Sequence, residues 1–210
     1  MNPWEIIDLQ DYEKHMKLNT VQQLQVLNLM MKDQIYRYNI KTLCILGVAG
    51  GNGLDHIQRD KIDKVYGVDI NGKYLSECNQ RYCGLSNTLK LIHANLLDIN
   101  NIILPHVELV IANLLIEYIG IDIFLKNILK MNAHYVSVVI QVNHENTFVS
   151  DSPYLEALSC LDTIHHDVNQ EELIINMCNS GYLFIYEERI EMPNKKELVR
   201  LDFKNASYNQ

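Results

Sequence analysis

The sequence predicts an α/β fold with a mostly parallel β-sheet that ends in an antiparallel hairpin. Short apolar runs recur along the middle of the chain, as expected for strands that helices bury on both faces. These runs lie within residues 42–54, 64–70, 89–98, 107–115 and 134–141. A helix is predicted at 169–179, and two β-rich runs, 182–191 and 197–203, then form a hairpin around a short polar turn.

The first apolar run gives way to small residues, which indicates a buried strand followed by a turn that holds a ligand. A bulky side chain at Ala49, Gly51 or Gly53 would hold a ligand away from the backbone. Such turns also expose amide groups at the start of the next helix, where polar ligand groups bind. Glycines in these turns can serve packing alone, so that alternative stays open. The turn favours a nucleotide-like cofactor.

The second apolar run ends in a carboxylate, Asp69. It lies 18 residues beyond Gly51, close to the spacing of about 20 at which an acidic residue closing the second strand meets a ribose. An aspartate there can accept hydrogen bonds from both ribose hydroxyls. The alternative is a surface residue that caps the following helix, because Asp69 and Asn71 both stand where a cap would.

The spacing of the small residues argues against a dinucleotide. The pattern G-x-G-x-x-G would need glycine at positions where the chain has Ala49, Asn52 or Leu54. A further parallel strand, which dinucleotide-binding domains usually add, is also replaced by the predicted hairpin. A nicotinamide-dependent oxidoreductase is therefore a less favoured hypothesis.

The pattern (G/A)-x-G-x-G fits Ala49, Gly51 and Gly53. In these residues and in Asp69 the sequence resembles the class I S-adenosylmethionine-dependent methyltransferases. It departs from them at Gly47, where the family usually carries an acidic residue. The resemblance extends over most of the chain, because the order of the later elements also agrees.

The resemblance implies a three-layer Rossmann-like sandwich with seven strands in the order 3-2-1-4-5-7-6, an antiparallel C-terminal hairpin and an N-terminal helical lid. It implies S-adenosyl-L-methionine as the cofactor, with Asn95 and Leu96 beside the adenine and Asn113 beside the methionine part. The complete set of implied contacts is Gly47, Val48, Ala49, Gly51, Asn52, Gly53, Asp69, Ile70, Asn95, Leu96 and Asn113.

The residues after Asn113 bear on the methyl acceptor. Family members that methylate exocyclic amines of bases or glutamine side chains often show Asn-Pro-Pro-Tyr there, whereas this chain continues Leu114-Leu115-Ile116. The net charge of −8 also disfavours nucleic acid, since phosphate binding depends on clustered Lys and Arg. The only dense basic spot, Lys195-Lys196, is interpreted as a solvated turn. We therefore expect a small-molecule acceptor.

The acceptor side of the site is less constrained by the sequence. A catalytic base is optional for methyl transfer, and the histidine candidates are His144, His165 and His166. Because neighbours on an extended segment face opposite ways, one of His165 and His166 at most should face a pocket. Structural histidines, or a metal site formed with Glu145 and Asp167, are alternatives, but no familiar ligand spacing is present and no metal is predicted. The substrate candidates are Tyr12, Glu117, Tyr118 and Asn143. Tyr12, His15 and Met16 are expected to face the ligand from the N-terminal helices, and the alternative is that they are packing or solvated residues.

The length and composition favour a single domain. Its expected parts are N-terminal helices (1–40), a cofactor-binding core (41–142), a substrate-facing loop region (143–168) and a C-terminal helix with the hairpin (169–210). No apolar stretch reaches the length of a membrane span and no signal peptide is evident, so a cytoplasmic protein with reduced cysteines is expected. The sequence leaves the oligomeric state open. A noncatalytic domain that binds the cofactor or its product is the main alternative to an enzyme.

Overall fold

The computed structural model describes residues 2–143, 149–150 and 152–208. Seven strands in these residues form one sheet in the order β3-β2-β1-β4-β5-β7-β6. The first five strands are parallel, and β7 pairs antiparallel with both β5 and β6. This confirms the predicted order and the hairpin. The strands are β1 (Thr42–Leu46), β2 (Lys64–Asp69), β3 (Leu89–His93), β4 (Leu109–Asn113), β5 (Tyr135–Val142), β6 (Tyr182–Glu191) and β7 (Glu197–Asn205).

Helices cover both faces of the sheet, and the alternation of side chains along each strand divides the core between them. In β1, Leu43 packs on the side of α2 and α3, whereas Cys44 packs on the side of α5 and α7. The helices are α1 (Leu9–Lys17), α2 (Gln23–Tyr36), α3 (Gly72–Arg81), α4 (Ile116–Ile119), α5 (Ile121–Met131), α6 (Leu155–Leu158) and α7 (Gln170–Asn179). Among the described helices, none combines the length and apolar character needed to span a lipid bilayer.

The segment between β1 and β2 differs from the expectation. A helix was expected to follow the glycine turn, but the only helix described there is a short 3-10 helix, Leu54–His56. The face of the sheet that a longer helix would cover is covered by α2, whose Met31 and Ile35 pack against Leu43. The N-terminal helices therefore do not all form a lid, because α2 belongs to a helical layer.

Candidate functional site

A cavity of about 700 Å³, partly open to solvent, lies at the carboxyl ends of β1, β2, β3 and β4. We call it the strand-edge cavity. Parallel strands present their carboxyl ends at one edge of a sheet, which is where α/β folds of this kind bind ligands. The residues predicted from the sequence that line it are Tyr12, Gly47, Ala49, Asp69, Ile70, Asn95, Leu96, Asn113 and Tyr118.

Asp69 connects the glycine turn to the end of β2. Its Oδ2 accepts a hydrogen bond from the backbone N–H of Ala49 at 2.8 Å, and its Oδ1 accepts one from Asn71 at 2.8 Å. Burial raises the pKa of Asp69, and these backbone hydrogen bonds oppose the rise. A carboxylate has about four lone-pair sites, so both oxygens can accept further hydrogen bonds from a ligand. The cap of α3 is Asn71, whose Oδ1 accepts from the N–H of Lys73.

The glycine turn reaches the cavity through Gly47 and Ala49. The backbone of Gly47 has φ +73°, and its N–H donates to the carbonyl of Val68 at 2.9 Å. Ala49 has φ +46°, a conformation that non-glycine residues seldom adopt and that is often found at functional sites. The position where the resembling family usually carries an acidic side chain is therefore occupied here by backbone alone.

The remaining predicted residues of the turn lie elsewhere. Val48 and Asn52 line a neighbouring cavity of about 550 Å³. Asn52 Nδ2 donates to the carbonyl of Leu24 at 2.9 Å, so its side chain joins the turn to α2. A Cβ at Gly53 would lie 2.5 Å from Sδ of Met31. These contacts give Asn52 and Gly53 a packing role.

Gly51 also faces protein atoms, so a side chain there is expected to reduce stability rather than block a ligand. A Cβ at Gly51 would lie 2.6 Å from Cε2 of Tyr82 and 2.9 Å from Sγ of Cys78, and its φ of +90° strains any other residue. We expect Gly51→Ala to lower the free energy of unfolding by about 1 to 3 kcal/mol in urea titrations. Gly84→Ala is the control, because a Cβ at Gly84 meets no atom within 4 Å. Wild-type stability of Gly51→Ala would contradict this packing role.

The far side of the strand-edge cavity is formed by the turn after β3. Asn95 is exposed, and its Oδ1 accepts a hydrogen bond from the N–H of Leu97 at 3.0 Å, which fixes the turn. Leu96 is buried, and its carbonyl accepts from Nδ2 of Asn127 at 3.0 Å. Together with Ile70, Leu96 supplies apolar surface beside the Asp69 carboxylate.

Asn113, at the end of β4, is held by an amide pair with Gln34 of α2. Gln34 Nε2 donates to Asn113 Oδ1 at 2.9 Å, and Asn113 Nδ2 donates to Gln34 Oε1 at 3.0 Å. Gln34 Nε2 also donates to Oγ of Ser137 on β5 at 2.9 Å. The next residue, Leu114, has φ +54° and lines the cavity. The end of β4 is thus both strained and firmly hydrogen-bonded.

The Gln34 contact continues into a buried charged network that sequence reasoning missed. Ser137 Oγ donates to Oδ1 of Asp202 on β7, and Asp202 accepts from the fully buried guanidinium of Arg200. Arg200 Nη1 also donates to Oδ2 of Asp33 at 2.7 Å. The sequence offered no local signal for this network, because its members come from α2, β5 and β7.

Three aromatic rings cover the strand-edge cavity. Trp4 lies edge-on to Tyr12, with ring centroids 5.3 Å apart, and edge-on to Tyr118, with centroids 4.9 Å apart. The backbone carbonyl of Trp4 accepts a hydrogen bond from Nδ2 of Asn71 at 2.8 Å, which ties the N-terminal segment to the end of β2. Tyr12 and Tyr118 were predicted. Trp4, the single tryptophan of the chain, was predicted only as part of an N-terminal helix and not as a residue of the site.

A second cavity, of about 520 Å³, lies beyond these rings, and we call it the adjoining cavity. Glu117 lines it and is almost completely buried. Its Oε1 accepts from the N–H of Gln141 at 2.8 Å, whereas its Oε2 has no hydrogen-bond partner. Burial raises the pKa of Glu117 to about 7. A carboxylate with this pKa can exchange a proton near neutral pH.

Two positively ionisable residues also line the adjoining cavity. His15 is buried, its Nδ1 lies 2.8 Å from Oγ of Ser152, and burial together with the charge of Lys196 lowers its pKa. Lys196 is itself buried. The interpretation of Lys195-Lys196 as a solvated turn is therefore wrong for Lys196, while Lys195 is exposed as expected. Met16, predicted to face the ligand with His15, lines the same cavity.

The histidine candidates lie around the cavities. His165 packs edge-on against Tyr118, with ring centroids 6.0 Å apart, and burial lowers its pKa. His166 is exposed, and its backbone N–H donates to the carbonyl of Glu117 at 2.7 Å. Neither ring is among the described residues lining the strand-edge and adjoining cavities. His144 lies outside the described residues.

Asn143 links β5 to the segment before α7. Its Oδ1 accepts a hydrogen bond from Nε2 of Gln141 at 2.6 Å, and its Nδ2 donates to Oδ1 of Asp167 at 3.2 Å. It is absent from the described linings of the two cavities. Its contact with Gln141 places it next to the residue that holds Glu117. No group of three His, Cys, Asp or Glu residues suited to a metal ion is found in the described part of the chain.

Comparison with known proteins shows similarity in fold rather than in sequence. The chain matches no protein-family model and no curated protein. Among solved structures, the magnesium protoporphyrin IX methyltransferase ChlM from Synechocystis with bound SAH has a TM-score of 0.62 at 12% identity, over 92% of this chain and 87% of that chain.

Two other structures show how widely this fold is used. The [4+2]-cyclase SpnF has a TM-score of 0.65 at 11% identity, over 88% of this chain and 82% of that chain. A proposed RNA methyltransferase from Pyrococcus horikoshii has a TM-score of 0.58 at 11% identity, over 89% of this chain and 83% of that chain. The chain therefore has the fold of the class I methyltransferases, a fold that also occurs in a cyclase.

Proposed function

We propose that this chain binds S-adenosyl-L-methionine and transfers its methyl group to a small molecule. The observation that supports this most strongly is Asp69, a carboxylate at the end of β2 that lines the strand-edge cavity and is hydrogen-bonded to the turn after β1. This combination would provide ribose recognition next to a backbone surface that a ligand can approach closely.

The groups that line the strand-edge cavity fit the three parts of the cofactor. Asp69 would accept hydrogen bonds from the ribose hydroxyls, and Ile70 and Leu96 would contact the adenine faces. The backbone of Gly47 and the amide of Asn113 would lie along the polar methionine part. The lining is chemically suitable because it combines a carboxylate, an amide and apolar side chains.

When bound, the cofactor would supply an electrophilic methyl group on a sulfonium. Displacement at such a carbon needs an aligned nucleophile and little water, so most of the catalysis can come from positioning. Trp4, Tyr12 and Tyr118 line both cavities and would exclude water from the region between them. The amide pair of Asn113 with Gln34 would keep the end of β4 fixed during the reaction.

One finding, the similarity to a cyclase, favours an alternative function. A domain of this fold could hold the cofactor, or its product S-adenosylhomocysteine, without transferring a methyl group. Uptake of labelled methyl by any acceptor would exclude this alternative. Calorimetric titration with S-adenosylmethionine, S-adenosylhomocysteine and NAD(H) tests the cofactor itself. Micromolar binding of NAD(H) alone would overturn the proposal in favour of an oxidoreductase.

Asp69→Ala is expected to weaken the binding of S-adenosylmethionine by about 1 to 3 kcal/mol, because hydrogen bonds from a charged group to the ribose are lost. Calorimetric titration of the folded variant measures the change. Asp63→Ala is the matched control: Asp63 is exposed just before β2, at the opposite end from Asp69, and its removal should leave affinity unchanged. Equal affinity of the Asp69 variant and the wild type would remove Asp69 from the site.

A further inference from the structure

The adjoining cavity is placed to hold a second molecule beside one in the strand-edge cavity. The two cavities share Trp4, Tyr12, Leu114 and Tyr118 as lining residues, so they lie side by side. A molecule in the adjoining cavity would meet the edge of the strand-edge cavity at Leu114, the residue that follows β4.

Glu117 provides the most specific feature of the adjoining cavity. Its Oε1 is fixed by the backbone N–H of Gln141, and its Oε2 is buried without a hydrogen-bond partner. Buried polar atoms in folded proteins almost always have a partner, and leaving a carboxylate oxygen without one is unfavourable. A bound molecule that donates a hydrogen bond to Oε2 would remove this deficit.

The rest of the lining limits what that molecule can be. Met16, Leu158 and Leu161 provide apolar walls, and the rings that cover the strand-edge cavity add aromatic surface. Lys196 and His15 are also present, so an organic cation would meet a positive charge as well as Glu117. A neutral molecule that combines apolar surface with an N–H or O–H group fits this lining best.

We propose that the adjoining cavity is the methyl-acceptor site, and that Glu117 Oε2 accepts the proton of the acceptor's nucleophilic N–H or O–H group. The inference depends on the proposed function for its chemistry. The new bond joins the methyl carbon to the acceptor heteroatom, and the bond from that carbon to sulfur breaks with its electron pair left on sulfur. The heteroatom's proton passes to Glu117 and then to solvent, so atoms and charge balance.

The surroundings of Glu117 are consistent with this role. Burial raises its pKa to about 7, close to the value at which a general base is effective at neutral pH. The titratable groups around it come from each neighbouring element: Tyr12 and His15 of α1, Tyr118 of α4, Lys196 of the turn before β7, and His166 after α6. Burial is the largest cause of the raised pKa of Glu117, and the hydrogen bond from the backbone N–H of Gln141 opposes it.

Binding of model acceptors to the protein without cofactor tests the recognition step. Phenol and aniline carry a neutral O–H or N–H group, whereas anisole has a similar shape without a donor. We expect saturation-transfer NMR to show that phenol or aniline binds the wild type more tightly than anisole. Glu117→Gln should remove that preference, because its Oε1 would keep the Gln141 bond and present an N–H donor to the cavity. Equal binding of all three probes to the wild type, or no change in Glu117→Gln, would overturn the proposal.

The proton-transfer step is tested by the pH profile of methyl uptake. For an acceptor that turns over, kcat/KM of the wild type should rise about tenfold per pH unit below the pKa of Glu117, and Glu117→Gln should lose this rise. Glu156→Gln, on the exposed side of α6, is the control and should behave as the wild type. S-adenosylmethionine affinity, measured separately, should be unchanged in Glu117→Gln. If the wild type does not bind S-adenosylmethionine, the proposed function is contradicted. The preference for phenol or aniline over anisole tests the contact at Glu117 independently of the cofactor.

Discussion

Replacing Arg200 with methionine is expected to lower the free energy of unfolding by about 3 to 5 kcal/mol. Arg200 is fully buried in β7, and its Nη2 donates to Asp202 Oδ2 at 2.6 Å. Its Nη1 donates to Asp33 at 2.7 Å. Methionine preserves most of the side-chain volume but removes the cation, so the Asp202 carboxylate stays buried without a compensating charge. Urea unfolding of the purified variant measures the change.

A second substitution distinguishes the lost charge from lost packing. Asp202→Asn alone should destabilise the protein, because it removes the buried carboxylate partner of Arg200 and leaves only the partly exposed Asp33 and Glu188. In the Arg200→Met background the same substitution should stabilise, because it removes the unpaired charge while keeping hydrogen-bond capacity for Tyr38. Additive destabilisation by the two changes would contradict the charge argument.

Arg189→Met provides a matched control on the same sheet. Arg189 on β6 also forms two ion pairs, with Glu187 at 2.6 Å and Glu197 at 3.2 Å, but its side chain is about half exposed. Exposed ion pairs contribute about 0 to 1 kcal/mol, because water screens the charges and the side chains lose entropy on pairing. A loss at Arg189 as large as that at Arg200 would show that burial is not the cause.

The features that the sequence predicted are those with local signals. The strands and the terminal hairpin were predicted from apolar runs and turn residues, whereas the strand order was implied by the resemblance to the class I methyltransferases, and the structure confirms both. Asp69 was predicted because its spacing from the glycine turn depends only on the length of one connecting segment. The structure places it in the strand-edge cavity. Such signals lie in neighbouring residues and can be recognised without knowledge of the tertiary packing.

The features that were missed depend on contacts between distant parts of the chain. The packing role of Gly51 arises from Tyr82 and Cys78, which approach it from the region of α3. The burial of Lys196 follows from its position in the adjoining cavity, next to residues of α1. In the same way, the hydrogen bonding of the Glu117 carboxylate depends on a residue distant in the sequence, because the backbone N–H of Gln141 donates to Oε1. A helical or apolar pattern in the sequence contains no information about these partners.

A second large effect is expected in the pH dependence of stability. The pKa of Glu117 is raised by burial from its ordinary value of 4.5 to about 7. Below both values the carboxyl is protonated in the folded and unfolded states, and it contributes no pH dependence. Between them the unfolded chain releases the proton while the folded chain keeps it. The free energy of unfolding therefore falls as the pH rises through this window, by roughly 3 kcal/mol for a shift of this size.

Glu117→Gln isolates that contribution, because glutamine is neutral at every pH and nearly the same shape. The difference in unfolding free energy between the variant and the wild type is expected to shift in favour of the variant by roughly 3 kcal/mol from about pH 4.5 to about pH 8. Urea titrations at several pH values measure it, and Glu156→Gln should show no such shift. A constant difference would mean that Glu117 has an ordinary pKa in the folded state. If the shift is found, the ionised carboxylate of Glu117 is destabilising in the protein without an acceptor. A hydrogen-bond donor on a bound molecule would then relieve that instability at the point where the proposed acceptor lies.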